Sequence, residues 1–358
     1  MNVYLFYLTT LFSSILTFII CIVVFKPAAR RLGLIDLPGG RKTHMQATPL
    51  IGGIAIFCGL CVNLVALPLP SYLYQGLLIG ALLLLVVGIV DDLYNIKPKF
   101  RLIAQVIAAL CPIFIGNETI NHLGVIVLAH DLYLGPLSIP FSILFTVGFI
   151  NAINMLDGQD GLAAGVVCSQ LFLLFLISNY LQQTELSLLL FIFLLLACIF
   201  LCFNIRLPWR KHASIFLGDA GSTLIAFFVA WAATYLAQID SNIIKPITLV
   251  WIIALPWVDL VSVCLIRIRG HRSCFAPSHD HIHHLLQQRN VSVTISTLFL
   301  TLLSFTTGIF GCILAWLRIA ENIQFFMFIG YFLAYVIMTT LLNSYNNRSF
   351  RENDLQRA

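Results

Sequence analysis

Long runs without a charged side chain dominate this sequence and limit what it can fold into. No Asp, Glu, Lys or Arg occurs in nine stretches: 1–25, 43–90, 102–117, 132–156, 161–184, 186–205, 220–239, 290–317 and 322–347. A helix needs roughly 20 mostly apolar residues to cross a bilayer. The chain is 10% charged, whereas soluble domains average about 25%. The sequence therefore predicts an all-α fold, a polytopic integral membrane bundle.

The apolar runs predict about eleven transmembrane helices. The stretch 43–90 is long enough for two helices with a break near 67–71, and 246–266 is a further span interrupted by Asp259. The N-terminal run lacks a basic segment and a small-residue cleavage site, so we expect a retained first span rather than a signal peptide. We expect residues 1–343 to form a single transmembrane domain and 344–358 to form a cytoplasmic tail.

The basic residues predict the orientation in the membrane. Alternating the loops places six segments on one side: 26–49, 91–101, 157–160, 206–219, 267–289 and 344–358. That side holds 18 of the 20 Lys and Arg residues, and only Lys245 and Arg318 fall on the other. Positive loops stay in the cytoplasm, so we expect a periplasmic N-terminus and a cytoplasmic C-terminus. Short basic loops, rather than one basic patch, do not favour a nucleic-acid partner.

Five aspartates lie at the predicted cytoplasmic ends of helices from distant parts of the chain: Asp91, Asp92, Asp157, Asp160 and Asp219. Placing a carboxylate at membrane depth costs free energy, so we take these five residues as candidates for a functional site. Individually, Asp219 also suits a helix N-cap and Asp160 a turn. Adjacent Asp91 and Asp92 repel each other unless a cation relieves them. Mg²⁺ takes oxygen ligands and shares them with substrate phosphates, so the cluster predicts metal-assisted phosphate chemistry.

The last predicted cytoplasmic loop is rich in arginine and histidine. Its histidines offer three interpretations, namely a structural zinc site, contacts to phosphate or a sugar hydroxyl, and a surface run without function. These residues are His279, His281, His283 and His284. Asp259 lies inside a predicted span, so we expect it to pair with Arg267 or with a lysine of another helix.

Five motifs in one order extend the interpretation: RKTH followed by PLIGG, the Asp91-Asp92 pair, NAINMLDGQDGLAAG, FLGDAGST and PSHDHIHH. Over nearly the whole chain this order resembles the polyprenyl-phosphate N-acetylhexosamine-1-phosphate transferases, and HIHH resembles their bacterial branch that uses UDP-GlcNAc. The resemblance implies transfer of GlcNAc 1-phosphate to undecaprenyl phosphate with release of UMP, using Mg²⁺ or Mn²⁺. It implies the bacterial inner membrane, an early step of O-antigen or other cell-surface polysaccharide synthesis, and a homodimer as one form of assembly.

The resemblance also implies residue roles. Asp219 corresponds to the metal-binding aspartate, with Asp92 as a second ligand, and Asp91-Asp92 to the catalytic pair. Four residues correspond to nucleotide contacts: Asp157, Asp160, Asn154 and Asn204. Lys42 and Arg267 correspond to basic groups near the diphosphate. Three histidines fall in the sugar-nucleotide specificity loop: His281, His283 and His284.

Several alternatives stay open from the sequence. The donor could carry GalNAc, FucNAc or QuiNAc instead of GlcNAc. The lipid phosphate could attack the β-phosphorus directly, with Asp91 as a base or orienting group, or an aspartyl-phosphate could form first. Outside the enzymes, a transporter would need polar residues at the bilayer midplane, where this chain has almost none, and a cation-binding structural subunit is the third class.

Overall fold

Helices account for nearly all regular structure in this protein. The computed structural model describes residues 3–37, 47–66, 74–127, 130–239, 241, 243–273 and 280–357. In chain order the helices are α1 (Val3–Leu32), α2 (Gly52–Ala66), α3 (Gln75–Tyr94), α4 (Pro98–Gly116), α5 (Ser138–Leu156), α6 (Leu162–Tyr180), α7 (Thr184–Asn204), α8 (Gly218–Ala237), α9 (Pro246–Ile252), α10 (Ala254–Arg269), α11 (Ile282–Gln287), α12 (Val293–Trp316) and α13 (Glu321–Arg357).

The predicted all-α membrane class is confirmed. Within the described residues, nine helices are long and apolar enough to cross a membrane, and α9 with α10 forms a further bent pair. Every predicted span coincides with a helix or with that pair. The shortest, α2, has 15 residues and rises only about 22 Å, less than a bilayer core of about 30 Å. The total of eleven spans and their orientation stay predictions. The segment expected as a tail continues helix α13.

The span predicted at 246–266 is divided into two helices. Helices α9 and α10 meet at Ile253 with a bend of 74°. Pro256 explains the break, because it cannot donate a hydrogen bond to the carbonyl of Ile252 and its ring clashes with that carbonyl. Asp259 lies on α10, beyond the bend, and contacts His281 in the histidine loop.

Helix α8 forms the centre of the bundle and packs against α2, α3, α5, α6 and α9. Nearly all its side chains are buried. Two crossings are unusually close: a Cβ at Gly88 would clash with the backbone of Ala220, and one at Gly53 would lie 2.6 Å from the Cα of Gly221. Glycine is needed where backbones approach this closely. The crossing at Gly88 places the last turn of α3, with its two aspartates, beside the start of α8.

A short backbone assembly fixes the segment that leads into α8. Strands β1 (Ile35–Asp36) and β2 (Thr48–Pro49) pair antiparallel. Phe216 N–H donates to the carbonyl of Pro49, and Gly52 N–H donates to the carbonyl of Phe216, both at 2.9 Å. The PLIGG motif therefore holds the FLGD segment in place through its backbone.

Contacts between loops agree with the predicted division into two ends. At one end, which we call the aspartate end, Asp92 contacts the start of α8 and Gln287 donates to Gln159 at 2.7 Å. At the opposite end, Gln238 accepts from the amide of Asn121 and Glu321 accepts from the amide of Val125.

Candidate active site

Asp92 caps helix α8 from another helix. Its Oδ1 accepts the backbone N–H of Asp219 at 2.8 Å, and its Oδ2 accepts that of Ala220 at 3.4 Å. A carboxylate at a helix N-terminus satisfies orphan N–H groups and interacts favourably with the helix dipole. Gly218, at φ 68°, lies so close to this carboxylate that a side chain would collide with it. The interpretation of Asp219 as the N-cap is therefore wrong, because Asp92 supplies the cap.

Arg101 joins two aspartates and was not predicted as a site residue. Its guanidinium lies 2.8 Å from Asp91 Oδ2 and 3.6 Å from Asp219 Oδ2. The other oxygen of Asp91 accepts the amide of Ile96 at 2.8 Å, and the Asp91 side chain is almost fully buried. A basic residue ten positions after a carboxylate pair, in the first turn of the next helix, was the available indication. Arg101 thus neutralises part of the charge of the cluster.

Asp219 is accessible to solvent, with a side chain one-third exposed, whereas that of Asp91 is almost fully buried. Its Oδ1 accepts Asn154 Nδ2–H at 2.6 Å, and the same amide group donates to Ser222 at 2.8 Å. Asp219 also lies within hydrogen-bonding reach of Asp91. Side chains from α3, α4, α5 and α8 therefore converge on one point, although they are far apart in the sequence.

A cleft opens beside this point, between α3, α4, α5 and α8. Its cavity volume is about 20 Å³, and the space beside it is open to solvent. Its lining combines polar residues with apolar ones: Asp91, Arg101, Gln105, Asn151, Asn154, Asp219 and Thr223, together with Leu84, Val87, Gly88 and Ala104. Such a surface suits a ligand that has a charged head and an apolar body.

Asp157 follows the last turn of α5 and closes the other side of the cluster. Burial, and to a lesser extent the nearby charges of Asp219, Asp92 and Asp160, together raise its pKa to about 8. The contribution of three neighbouring carboxylates shows that negative charge is concentrated here. A bound cation would offset this charge.

Asp160 and Asn204 hold the loop that carries Asp157. Asp160 Oδ2 accepts Arg206 Nε–H at 2.7 Å and the amide of Ala213 at 3.2 Å. Asn204 accepts the amide of Gly161 at 2.8 Å and donates to the carbonyl of Ile215 at 3.0 Å. Both residues therefore tie the loop to the segment before α8, and contact of either with nucleotide stays a prediction.

The histidine loop reaches the same end of the bundle. His283 packs against Gly158, the neighbour of Asp157, so closely that a Cβ there would clash with its Nε2. The rings of His283 and His284 lie 4.1 Å apart. The loop therefore adjoins the aspartate cluster, as the predicted sugar-nucleotide loop requires.

Asp259 binds this loop rather than an arginine or lysine. Its Oδ2 lies 2.7 Å from Nδ1 of His281. The predicted partner, Arg267, is buried and lies 3.9 Å from Asp280, which also pairs with Arg272 at 3.0 Å. The expectation of an Arg267 or lysine partner is wrong, because His281, Ile282 and Tyr335 occupy the carboxylate oxygens of Asp259. Lys42 and His279 lie outside the described residues.

A bound Mg²⁺ or Mn²⁺ stays a prediction for the aspartate cluster. Across the described ranges, no three His, Cys, Asp or Glu side chains are grouped closely enough to hold a metal. Mg²⁺ is commonly bound by one or two carboxylates together with water and substrate phosphates. Asp219, partly exposed and next to Asp91, offers such ligands. Asp92 keeps a second lone pair on each oxygen, and its role as a metal ligand stays a prediction.

Comparison with known proteins agrees with this geometry. The family described as glycosyl transferase family 4 matches residues 74–237, from just before α3 to the end of α8. Proteins named undecaprenyl-phosphate alpha-N-acetylglucosaminyl 1-phosphate transferase are similar over most of the chain. The one from Escherichia coli O157:H7 is 31% identical, covering 87% of this chain and 84% of its own. The one from Haemophilus influenzae is 32% identical, covering 92% of each.

The relative from Salmonella typhi is 32% identical and covers 90% of both chains. Similarity of this extent and identity shows the family to which the chain belongs. The chain is therefore a multi-pass membrane enzyme that belongs to the polyprenyl-phosphate N-acetylhexosamine-1-phosphate transferase family.

Proposed function

We propose that this protein transfers N-acetylglucosamine 1-phosphate from UDP-GlcNAc to undecaprenyl phosphate on the cytoplasmic face of a bacterial inner membrane. The products are undecaprenyl-diphospho-GlcNAc and UMP, and the reaction begins O-antigen or a related cell-surface polysaccharide. The observation that carries the proposal is the convergence of Asp91, Asp92, Asp157 and Asp219 with Arg101 at one end of a membrane bundle. The curated relatives carry this activity in their names.

The reaction must bring two anions together. An oxygen of the lipid phosphate attacks the β-phosphorus of the nucleotide sugar, and the bond from that phosphorus to the bridging oxygen of UMP breaks. A phosphate monoester has a second pKa near 6, so its attacking oxygen is already ionised at neutral pH. Catalysis then depends mainly on orientation and on neutralising charge. This favours direct attack over an aspartyl-phosphate.

The metal ion would be held by Asp219, with Asp92 or Asp91 next to it. When bound, Mg²⁺ or Mn²⁺ would neutralise the diphosphate and stabilise the leaving phosphate. Asn154 orients Asp219 by its 2.6 Å hydrogen bond, and Asp92 fixes the helix terminus from which Asp219 projects. These two contacts keep the carboxylate in one place while substrates enter and leave.

Arg101 is the best-placed group for the lipid phosphate. It lines a cleft that also has apolar lining residues, so its guanidinium can bind a phosphate whose isoprenoid chain extends toward the bilayer. The Asp91 carboxylate holds that guanidinium at 2.8 Å. Asp91 is almost fully buried with both oxygens engaged, which supports an orienting role rather than that of a free base.

The assay uses membranes that contain the protein, undecaprenyl phosphate and radiolabelled UDP-GlcNAc, UDP-GalNAc or UDP-FucNAc in parallel reactions. We expect label from UDP-GlcNAc to enter the butanol phase, and EDTA to abolish the transfer until Mg²⁺ is restored. Faster transfer from another sugar would overturn the assignment of GlcNAc. Label that stays aqueous with every donor would overturn the proposed function.

A further inference from the structure

A carboxylate buried among the helices fastens the histidine loop. Asp259 is only 2% exposed, yet three donors reach it from outside its own helix. Oδ2 accepts His281 Nδ1–H at 2.7 Å, while Oδ1 accepts the amide of Ile282 at 3.1 Å and the hydroxyl of Tyr335 at 3.0 Å. Burying a carboxyl is costly unless such bonds compensate. The arrangement therefore fixes Asp259, and Asp259 fixes His281.

The geometry determines which nitrogen of His281 meets other groups. An ionised carboxylate only accepts hydrogen bonds, so Nδ1 carries the hydrogen and Nε2 is the nitrogen left for a ligand. His281 also precedes the first residue of α11, and its ring is 95% buried. Its ring has little freedom to turn while Asp259 holds it.

The ring of His283 connects His281 to the loop that carries Asp157. Its ring is nearly parallel to that of His283, with an interplanar angle of 19° and centroids 5.8 Å apart. His283 in turn contacts Gly158, beside Asp157. A sugar nucleotide bound at the aspartates would therefore lie within the neighbourhood of this loop.

We propose that Asp259 and Tyr335 are positioning residues that hold His281 with its Nε2 toward the phosphate or hydroxyl groups of the sugar nucleotide. The inference rests on the proposed function and adds two residues to it that do not contact substrate. The competing explanation is structural: the same bonds fasten α10 to α13 and to α11. The two explanations differ in whether the effect of Asp259 on turnover depends on the imidazole.

A double-mutant cycle separates these explanations. Purified wild type, Asp259→Asn, His281→Gln and the double variant are assayed with UDP-GlcNAc and undecaprenyl phosphate at saturation. Loss of an orienting partner typically lowers activity about 10- to 100-fold. We expect Asp259→Asn to lower kcat by that factor in the wild type, and by less than about twofold when His281 is already Gln.

The matched control is Ser262, one turn after Asp259 on α10 and also at the contact with α13. Ser262 and Thr339 share a buried hydrogen bond of 2.5 Å between α10 and α13 without touching Asp259. We expect Ser262→Ala to change the thermal midpoint in detergent but to leave kcat within about twofold of wild type. If Ser262→Ala lowers kcat as much as Asp259→Asn, the positioning role is refuted.

Equal loss of kcat from Asp259→Asn with and without the imidazole would likewise overturn the inference. If Asp259→Asn does not yield folded protein by size-exclusion chromatography, Tyr335→Phe replaces it in the same cycle. We expect a smaller loss of about two- to tenfold there, again confined to the background that retains His281. Failure of wild type with every UDP-sugar would refute the proposed function itself, and is thus distinguishable from an additive cycle in an active enzyme.

Discussion

The carboxylate of Asp92, at the end of α3, accepts the backbone N–H of Asp219, at the start of α8, at 2.8 Å. One aspartate of the cluster thus holds the helix terminus from which another projects. The arrangement depends on the close crossing of α3 and α8 at Gly88. The two carboxylates therefore differ in their roles. Asp92 fixes the start of α8, while Asp219 lines the cleft.

Substitutions of Asp92 separate the helix cap from the negative charge. Asp92→Asn keeps one acceptor oxygen for the amide of Asp219 at 2.8 Å and loses only the longer bond from Ala220 at 3.4 Å, so we expect the unfolding free energy to fall by less than about 1 kcal/mol, against about 0.5–2 kcal/mol for Asp92→Ala. Because Asn lacks the charge, kcat should fall about 10- to 100-fold in both variants. Thermal unfolding and radiolabel transfer measure the two effects. Wild-type turnover by Asp92→Asn would show that Asp92 serves only as the cap.

Arg101 offers a test of the lipid-phosphate contact. Charge-assisted hydrogen bonds contribute about 1.5–3 kcal/mol, so Arg101→Gln should raise the KM for undecaprenyl phosphate about 10- to 100-fold. The KM for UDP-GlcNAc should stay within about twofold. Lys99→Gln is the control, since Lys99 is exposed two residues away and stacks over Phe100 at 5.1 Å. A rise in the nucleotide KM alone would reassign Arg101 to the donor.

The α3–α8 crossing should tolerate no side chain. Gly88→Ala places a methyl group against the backbone of Ala220, and overpacking of this kind costs about 1–3 kcal/mol. We also expect loss of activity, because the Asp92 cap would move away from α8. Gly330→Ala on α13 is the matched control, since nothing lies within 4 Å of its added Cβ. A stable, active Gly88→Ala variant beside an unchanged Gly330→Ala variant would contradict this packing.

We expect stability to depend on pH through Glu118, which lies at the end of the bundle opposite the aspartate end. Burial raises its pKa to about 8 from 4.5, and the hydrogen bond that Trp231 donates offsets this only in part. In the unfolded chain Glu118 ionises near pH 4.5, whereas in the folded chain it stays protonated until about pH 8. Its contribution to the free energy of unfolding therefore decreases as pH rises through this window, by at most about 1.4 kcal/mol per pH unit.

Glu118→Gln removes this titration. The thermal midpoint is measured in detergent from pH 5 to 8.5. The midpoint of the variant should increase relative to that of wild type as pH rises. Glu185→Gln, at the exposed start of α7, provides the control for the loss of a carboxylate at another place in the chain. A constant difference between Glu118→Gln and wild type across the range would contradict the raised pKa.

The sequence predicted the helices and the grouping of the aspartates, because a bilayer imposes long apolar runs and places the charges at their ends. It did not predict the bend at Ile253, since Pro256 alone does not say whether a span kinks or divides. It also missed Arg101 and the partner of Asp259. Both depend on how helix ends meet in three dimensions, which residue spacing does not determine. The pairing of Asp160 with Arg206 likewise joins segments 46 residues apart.

The central claim is that the whole sugar phosphate, not the sugar alone, moves to a lipid phosphate. UDP-GlcNAc labelled with ³²P at the β-phosphate tests it directly, using purified protein, undecaprenyl phosphate and Mg²⁺. The account predicts that the label enters the organic phase in equal amount to the UMP released, and that Asp219→Asn abolishes both. Label recovered in the aqueous phase as UDP, with GlcNAc on the lipid, would contradict it.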